Sequence, residues 1–327
     1  MIAILALVQF GVNPQSGFAN APHWGWYVVL YFFLGGLSGG CYFIASLLAL
    51  LGDPRDRPAI RLGYLIAFPL VVVCGILLII DLGMPFRFWH MLIQSERVPL
   101  PMFKWWSPMS VGSWVLMAFS VFAFVSFVGA LIESGRIRHP MLVRWDERAR
   151  EAPRPIAVLW GVLGAFFGFF LAGYTGVLVT GSGEAVWHNA QLLGALFLTS
   201  AASTSYALLL LLLLRRGMTH EDPAFVKLVR ADRWVIALEI LILAVMLIGL
   251  GGLARPFVTG GFGVVFWIGV VVVGLLAPLV LHRRARQPAD AHRSLRLAST
   301  CVLVGGLLLR FVIVMSPQWP RVMPWYL

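Results

Sequence analysis

The sequence predicts an all-α integral membrane protein with eight transmembrane helices in two four-helix bundles. Three observations predict it. Hydrophobic residues make up 60% of the 327 and charged residues only 12%. A typical soluble domain carries about 25% charge, so polar surface is too scarce here to cover a water-soluble globule. Eight apolar runs are long enough to cross a bilayer, which takes about 20 residues at about 1.5 Å each for a core about 30 Å thick. Basic residues gather in alternate connections between those runs.

The elements follow in order. Met1–Gly11 is apolar, but it is too short to span, lacks a basic leading region and is broken by Asn13-Pro14. Residues 1–22 therefore read as an outer segment, interfacial or packed on a partner, rather than a signal peptide. The eight spans are expected near Trp26–Leu51, Leu62–Asp81, Pro108–Ile132, Ile156–Thr180, Trp187–Leu214, Trp234–Ala254, Phe262–His282 and Leu295–Met315. Their connections are short, so residues 1–327 read as a single transmembrane domain. Span two closes in Asp81-Leu-Gly-Met-Pro-Phe86 and span six in Gly252-Leu-Ala-Arg-Pro-Phe257. That echo hints at a duplication, with halves near 24–180 and 187–315 related by an axis along the membrane normal.

Of the 25 Lys and Arg residues, 19 lie in the first, third, fifth and seventh connections. Only Arg87, Arg97, Lys104, Arg255 and Arg321 lie on the other side. Basic connections stay cytoplasmic, so both termini are expected outside. The outer side also carries Trp24, Trp26, Trp105, Trp106, Trp187, Trp319 and Trp325, which read as an interfacial aromatic belt. The net charge of +11 is thus topological, and no nucleic-acid partner is expected.

The cofactor signals point to absence. Cys41, Cys74 and Cys301 lie in apolar runs and form no C-x-x-C pair, which argues against an iron–sulfur cluster or other metal site in this chain. All seven histidines sit in connections or at span ends, so no facing pair for a membrane haem is expected. Ionisable groups within spans are rare, because each costs about 2.5–3.5 kcal/mol at a helix centre. Glu239, about two turns into span six, reads either as the partner of an arginine or as a proton carrier. Asp81 and Arg310 read either as an interfacial anchor pair or as part of a site. Thr204 and its hydroxyl neighbours in span five suit close helix packing or a proton path. Gly35-Gly36-Leu-Ser38-Gly39-Gly40 is a packing surface, not a nucleotide loop, because no strand precedes it.

Several segments together resemble the NrfD-like family of polysulfide-reductase membrane subunits. They are His23-Trp-Gly-Trp26 with Leu34-Gly-Gly-Leu-Ser-Gly-Gly40, Asp81-Leu-Gly-Met-Pro-Phe-Arg-Phe-Trp-His90, Trp106-Ser-Pro-Met-Ser-Val-Gly-Ser-Trp114, Leu171-Ala-Gly-Tyr-Thr-Gly-Val177 and Gly305-Gly-Leu-Leu-Leu-Arg-Phe311. The resemblance implies a subunit of the bacterial inner membrane without a redox cofactor of its own. It would bind a quinone, menaquinone or ubiquinone, near the outer face. It would exchange electrons with an iron–sulfur subunit, itself joined to a molybdopterin catalytic subunit or a multihaem cytochrome. The family's fourth-span tyrosine ligand corresponds to Tyr174. Where one branch has a first-span histidine ligand, this sequence has Tyr31.

The residue chemistry agrees with that role. A phenol donates to a quinone carbonyl, and Asp81 or His90 can exchange protons. Glu239, Arg310, Asp81 and Thr204 are the candidate proton-transfer groups. The outer connection Gly83–Ser107, with Arg87, Lys104, Trp105 and Trp106, suits partner docking. Two other readings compete: a secondary transporter, which would use broken helices and midplane charges, and an inert membrane anchor.

Overall fold

The computed structural model describes residues 24–94, 99–151, 153–182, 184–219, 222–284 and 291–318. The outer segment 1–22, with Trp319 and Trp325 of the expected belt, lies outside the described residues. Eight helices are long and apolar enough to cross a membrane, and the described residues contain no strand, only a bridge between Ile93 and Pro101. The chain is an all-α integral membrane protein that passes the bilayer several times. We number the spans α1 (Trp26–Leu51), α2 (Arg57–Asp81), α3 (Pro108–Glu133), α4 (Arg154–Thr180), α5 (Leu193–Arg215), α6 (Pro223–Leu250), α7 (Gly260–Arg283) and α8 (Ala291–Met315). Proline within the first two positions starts α2, α3, α4 and α6, where its missing N–H has no intrahelical partner to lose. Gly52 ends α1 in the left-handed conformation at φ 77°. Over Val265–Leu276, α7 is π-wound.

α1 packs chiefly on α2, α4 and α5, while α5 packs on α6, α4, α1 and α8. α3 closes the first bundle against α2 and α4, and α7 closes the second against α8. The two central helices are correspondingly the most enclosed: 78% of the apolar window of α1 and 67% of that of α5 is buried, against 22–28% for α2, α3, α4, α6 and α7. Small residues permit this. The backbones of Gly39 and Gly168 meet where α1 crosses α4, Gly40 lies on Ala201 and Ser205 of α5, and Gly274 lies on Gly305 where α7 crosses α8. Lipid offers no hydrophobic drive for helix association, so close van der Waals contact of this kind carries it.

Two polar clamps tie the bundles together at opposite ends. The Trp24 amide donates to Gln318 Oε1 at 2.9 Å, and Gln318 Nε2 donates back to the Trp24 carbonyl at 3.2 Å. The start of α1 and the end of α8 therefore share one face. At the other end, Lys227 Nζ reaches Asp53 Oδ2 at 2.5 Å and Asp56 Oδ2 at 3.0 Å, joining the start of α6 to the α1–α2 turn.

Two expectations need correction. Trp24 and Trp187 do not belong to an interfacial belt: both are buried, their rings stack at 5.2 Å, and Trp187 Nε1 donates to the Ile313 carbonyl at 2.7 Å. Trp187 stands in a short separate helix, Ala185–Asn189, ahead of α5. Tryptophans at span ends read alike in sequence whether they face lipid or fill a helix junction. Trp26, Trp105 and Trp106 are exposed, as a belt requires. The sixth span also begins at Pro223 rather than Trp234. Its first three turns are charged, so an apolar window misses them although Pro223 is a sound helix start.

Candidate functional site

The predicted residues fall into three groups. The first lies in the half of the first bundle where α1 and α3 begin and α2 and α4 end. Tyr31 of α1 is buried in an apolar cluster with Phe32 and Cys74, flanked by Leu77, Leu78 and Leu178 of α2 and α4. Its phenol lies within electrostatic reach of Tyr174 and Cys74. Among the described residues the Tyr31 hydroxyl makes no hydrogen bond. Tyr174 differs. Its hydroxyl donates to the Pro108 carbonyl at the start of α3, and its ring stacks on Phe170 at 5.9 Å. Gly112 makes room for it, since a methyl group there would overlap the phenol. Tyr174 thus ties α4 to α3, while Tyr31 keeps a free donor beside it.

Asp81 and His90 are not drawn to these tyrosines by any contact among the described residues. Asp81 is exposed at the last position of α2. His90 folds back on its own connection, with Nδ1 donating to the Arg87 carbonyl at 2.9 Å and its ring stacked on Trp89 at 3.8 Å.

The second group is that connection between α2 and α3 itself. Its short 3₁₀ helix, Pro85–Met91, buries no residue. Phe86 is 92% exposed, Trp105 75% and Trp106 65%, with Arg87 and Lys104 also exposed beside them. The backbone underneath is fixed: Trp114 Nε1 donates to the Met102 carbonyl at 2.8 Å and the Lys104 amide donates to Ser110 Oγ at 3.0 Å.

The third group lies inside the second bundle. Arg310 of α8 is wholly buried, far from an interfacial anchor. Nη1 donates to Ser200 Oγ at 2.8 Å and to the Gly306 carbonyl at 2.7 Å, and Nη2 donates to the Phe197 carbonyl at 3.3 Å. The Phe33 and Phe197 rings flank the guanidinium, with centroids at 5.8 and 5.2 Å. Its charge partner is Glu239 of α6, buried within electrostatic reach. Glu239 is the seventeenth of 28 residues in its helix, deeper along it than the predicted start implied. Ser200, Thr204, Glu239, Gly274, Gly305 and Gly306 share a cavity of about 10 Å³ measured to the centre of a water, room for about one water molecule. Thr204 lines it while donating its own proton to the Ser200 carbonyl at 2.8 Å.

Sequence reading missed two members of this group, Asp232 and His282, and had Ser203 only as one of the span-five hydroxyls. Ser203 Oγ donates to Asp232 Oδ1 at 3.1 Å, and His282 Nε2 stands 3.7 Å from Asp232 Oδ2, with all three residues buried. With α6 taken to begin at Trp234, Asp232 passed for a loop residue. The available signal was its spacing of seven from Glu239, which puts both carboxylates on one helical face. Among the described residues no three His, Cys, Asp or Glu side chains converge as a metal site.

The eight spans and these residues can be set beside known proteins. The family model described as polysulphide reductase, NrfD, matches residues 15–319. The chain belongs to this NrfD/polysulphide reductase family. A polysulfide reductase polypeptide of Wolinella succinogenes is 29% identical over 316 residues, covering 91% of this chain and 95% of its own length. Protein NrfD of Escherichia coli is 28% identical over 319 residues, with 90% and 95% covered. A shorter similarity, 23% over 126 residues, links the chain to a selenate reductase subunit of Mesobacillus selenatarsenatis, covering 37% of this chain and 27% of that one. The relatives thus include proteins named as parts of reductases.

Proposed function

We propose that this chain is the quinone-handling membrane subunit of a bacterial respiratory oxidoreductase. The observation that carries the reading is Tyr31, a buried residue in an apolar cluster whose phenol lies within electrostatic reach of Tyr174 and Cys74 and whose hydroxyl makes no hydrogen bond among the described residues. A phenol hydroxyl that makes no hydrogen bond within the protein is available as a donor, and a quinone carbonyl is an acceptor that fits an apolar slot. Tyr31 is the donor to the substrate, and Tyr174 positions α3 and α4 around it. Asp81, at the outer end of α2, exchanges protons with the surface, with His90 on the connection that follows.

Electrons pass between menaquinone or ubiquinone and an iron–sulfur subunit, which connects to a molybdopterin subunit or a multihaem cytochrome. That subunit docks on the outer connection through Trp105, Trp106, Arg87 and Lys104, whose exposure leaves a broad aromatic and basic face. Glu239, Arg310 and Thr204 serve proton transfer. The chain lies in the inner membrane with both termini outside, and its halves 24–180 and 187–315 are repeats. The shared end of α1 and α8 supports the termini lying on one side.

Tyr31→Phe keeps the ring and removes one neutral hydrogen bond, worth about 0.5–1.5 kcal/mol. Quinone affinity of the purified complex is therefore expected to weaken about two- to tenfold, with assembly intact. Tyr174→Phe should act by loosening α3 and leave a smaller direct effect. Unchanged quinone kinetics in both variants, with bound quinone found in the second bundle, would overturn the site.

Orientation is testable separately. Cys41 and Cys74 are buried and Cys301 half-buried, so an engineered surface cysteine labels against a quiet background. A cysteine at Arg144 should react with an impermeant maleimide only from the cytoplasmic side. Labelling in intact cells from outside would invert the topology.

A further inference from the structure

We infer that Arg61, Arg136 and Arg216 form a binding site for the phosphate of an anionic phospholipid, at the end of the molecule where α2 begins and α3 and α5 end. The acyl chains of that lipid lie in the groove between α2 and α3. The site is at the other end of α2 from the Tyr31 slot, and its ligand undergoes no reaction.

Three elements bring the arginines together. Leu62, next to Arg61 on α2, shares a buried cluster with Leu213 and Leu214 of α5, and Arg216 caps that helix two residues later. Arg57, one turn before Arg61, meets Glu133 at the end of α3 at 3.5 Å, and Arg136 stands just beyond that end. The backbone under the two capping arginines is fixed: the Arg136 amide donates to the Leu131 carbonyl at 3.1 Å, and the Arg216 amide to the Leu213 carbonyl at 3.0 Å. Arg216 lies within electrostatic reach of both Arg61 and Arg136. Partial loss of hydration, and then those two charges, hold its guanidinium below the ordinary arginine range.

Like charges gathered in this way need a counter-charge, and local carboxylates do not supply it. Glu133 is engaged with Arg57, and Asp53 and Asp56 with Lys227. Among the described residues no carboxylate stands within ion-pair distance of Arg61, Arg136 or Arg216. Arg61 Nε is moreover enclosed without a hydrogen-bond partner. A basic connection that serves topology alone leaves its charged heads in water, and has no reason to enclose an N–H. The complementary ligand is an anion with several acceptor oxygens, and a phosphate is the anion that guanidinium forks match in pairs.

The surface alongside selects the source of the phosphate. Leu65, Phe68, Val72 and Ile76 follow Arg61 at helical spacing on one face of α2. Val72 and Ile76 are exposed. Phe68 packs on Phe124 and Phe127 of α3 at 5.1 and 5.3 Å, and Phe124 is itself exposed. An apolar groove therefore leads from the arginines along the part of the spans that lies in hydrocarbon. A free phosphate ion gains nothing from that groove, whereas a phospholipid fills both parts. Basic pockets between spans bind anionic headgroups by the same combination.

The test is lipid binding to the full chain, delipidated in neutral detergent and read by native mass spectrometry and melting temperature. Phosphatidylglycerol should bind about tenfold or more tightly than zwitterionic phosphatidylcholine, and should raise the melting temperature. Arg61→Gln with Arg216→Gln should erase that preference. Arg138→Gln with Arg144→Gln removes two exposed charges from the connection after α3 and should keep it. Equal affinity for the two lipids would overturn the inference, and so would equal loss in the two double variants, which would mean general charge attraction. Stabilisation by inorganic phosphate alone, without a lipid preference, would overturn the lipid assignment. If Arg61→Gln with Arg216→Gln does not fold, Arg136→Gln decides: its arginine is exposed beyond α3, and an unchanged lipid preference there would overturn the site.

Discussion

Replacing Arg310 with methionine should destabilise the folded bundle by about 3–5 kcal/mol, the range for removing one of two buried opposite charges, because it takes away the arginine's hydrogen bonds and the cation within electrostatic reach of Glu239. The side chain is 0% exposed and lies at the meeting of α1, α5 and α8. Methionine fills similar volume but leaves three groups unmet: Ser200 Oγ, the Phe197 carbonyl and, above all, the Glu239 carboxylate. It also removes a cation between two aromatic rings, a contact worth about 0.5–2 kcal/mol depending on desolvation. Thermal unfolding of the detergent-solubilised protein reads the loss. Arg310→Met with Glu239→Gln should recover much of it, because the stranded charge is then gone. No recovery in the double variant would mean that Glu239 is not the charge Arg310 balances.

Gly39→Leu is the second large effect. Where α1 crosses α4, a side chain on Gly39 would run into the Gly168 carbonyl and the Ala172 amide, both backbone atoms that cannot swing aside. The helices must part, at a cost of about 1–3 kcal/mol for overpacking. Because Tyr31 and Tyr174 lie about two turns further along these two helices, parting them should also weaken quinone affinity by more than Tyr31→Phe alone. Gly75→Leu is the matched control, since nothing lies within 4 Å of its added carbon. Equal melting temperatures and quinone affinities for the two variants would show that the crossing tolerates bulk.

Particular residues show what each level of description carries. The eight spans were legible because a bilayer demands about 20 apolar residues from each crossing, a constraint that composition meets one residue at a time. Tyr31 and Tyr174 were legible as candidates, but not the difference between them. That one phenol is bonded to Pro108 and the other is free depends on where α3 begins relative to α4. Arg310 read as an outer anchor with Asp81, whereas its place between α1, α5 and α8 makes Glu239 its counter-charge. Trp187 read as a belt residue for the same reason: sequence reports a residue's depth along its helix, not the direction it faces.

By itself, then, the sequence determined the membrane class, the number of spans, the sidedness pattern of basic residues and the family resemblance. The first three depend on properties summed along the chain, chiefly apolar length and charge count, and the resemblance on short motifs read in order. Only the tertiary structure decided which polar groups come together: Glu239 within electrostatic reach of Arg310, Asp232 with Ser203 and His282, and Tyr174 with Pro108. In a helix that is apolar on every side, hydrophobic periodicity no longer marks an inner face. The rotation of each span is set instead by glycine contacts with its neighbours, and those contacts exist only once the helices have packed.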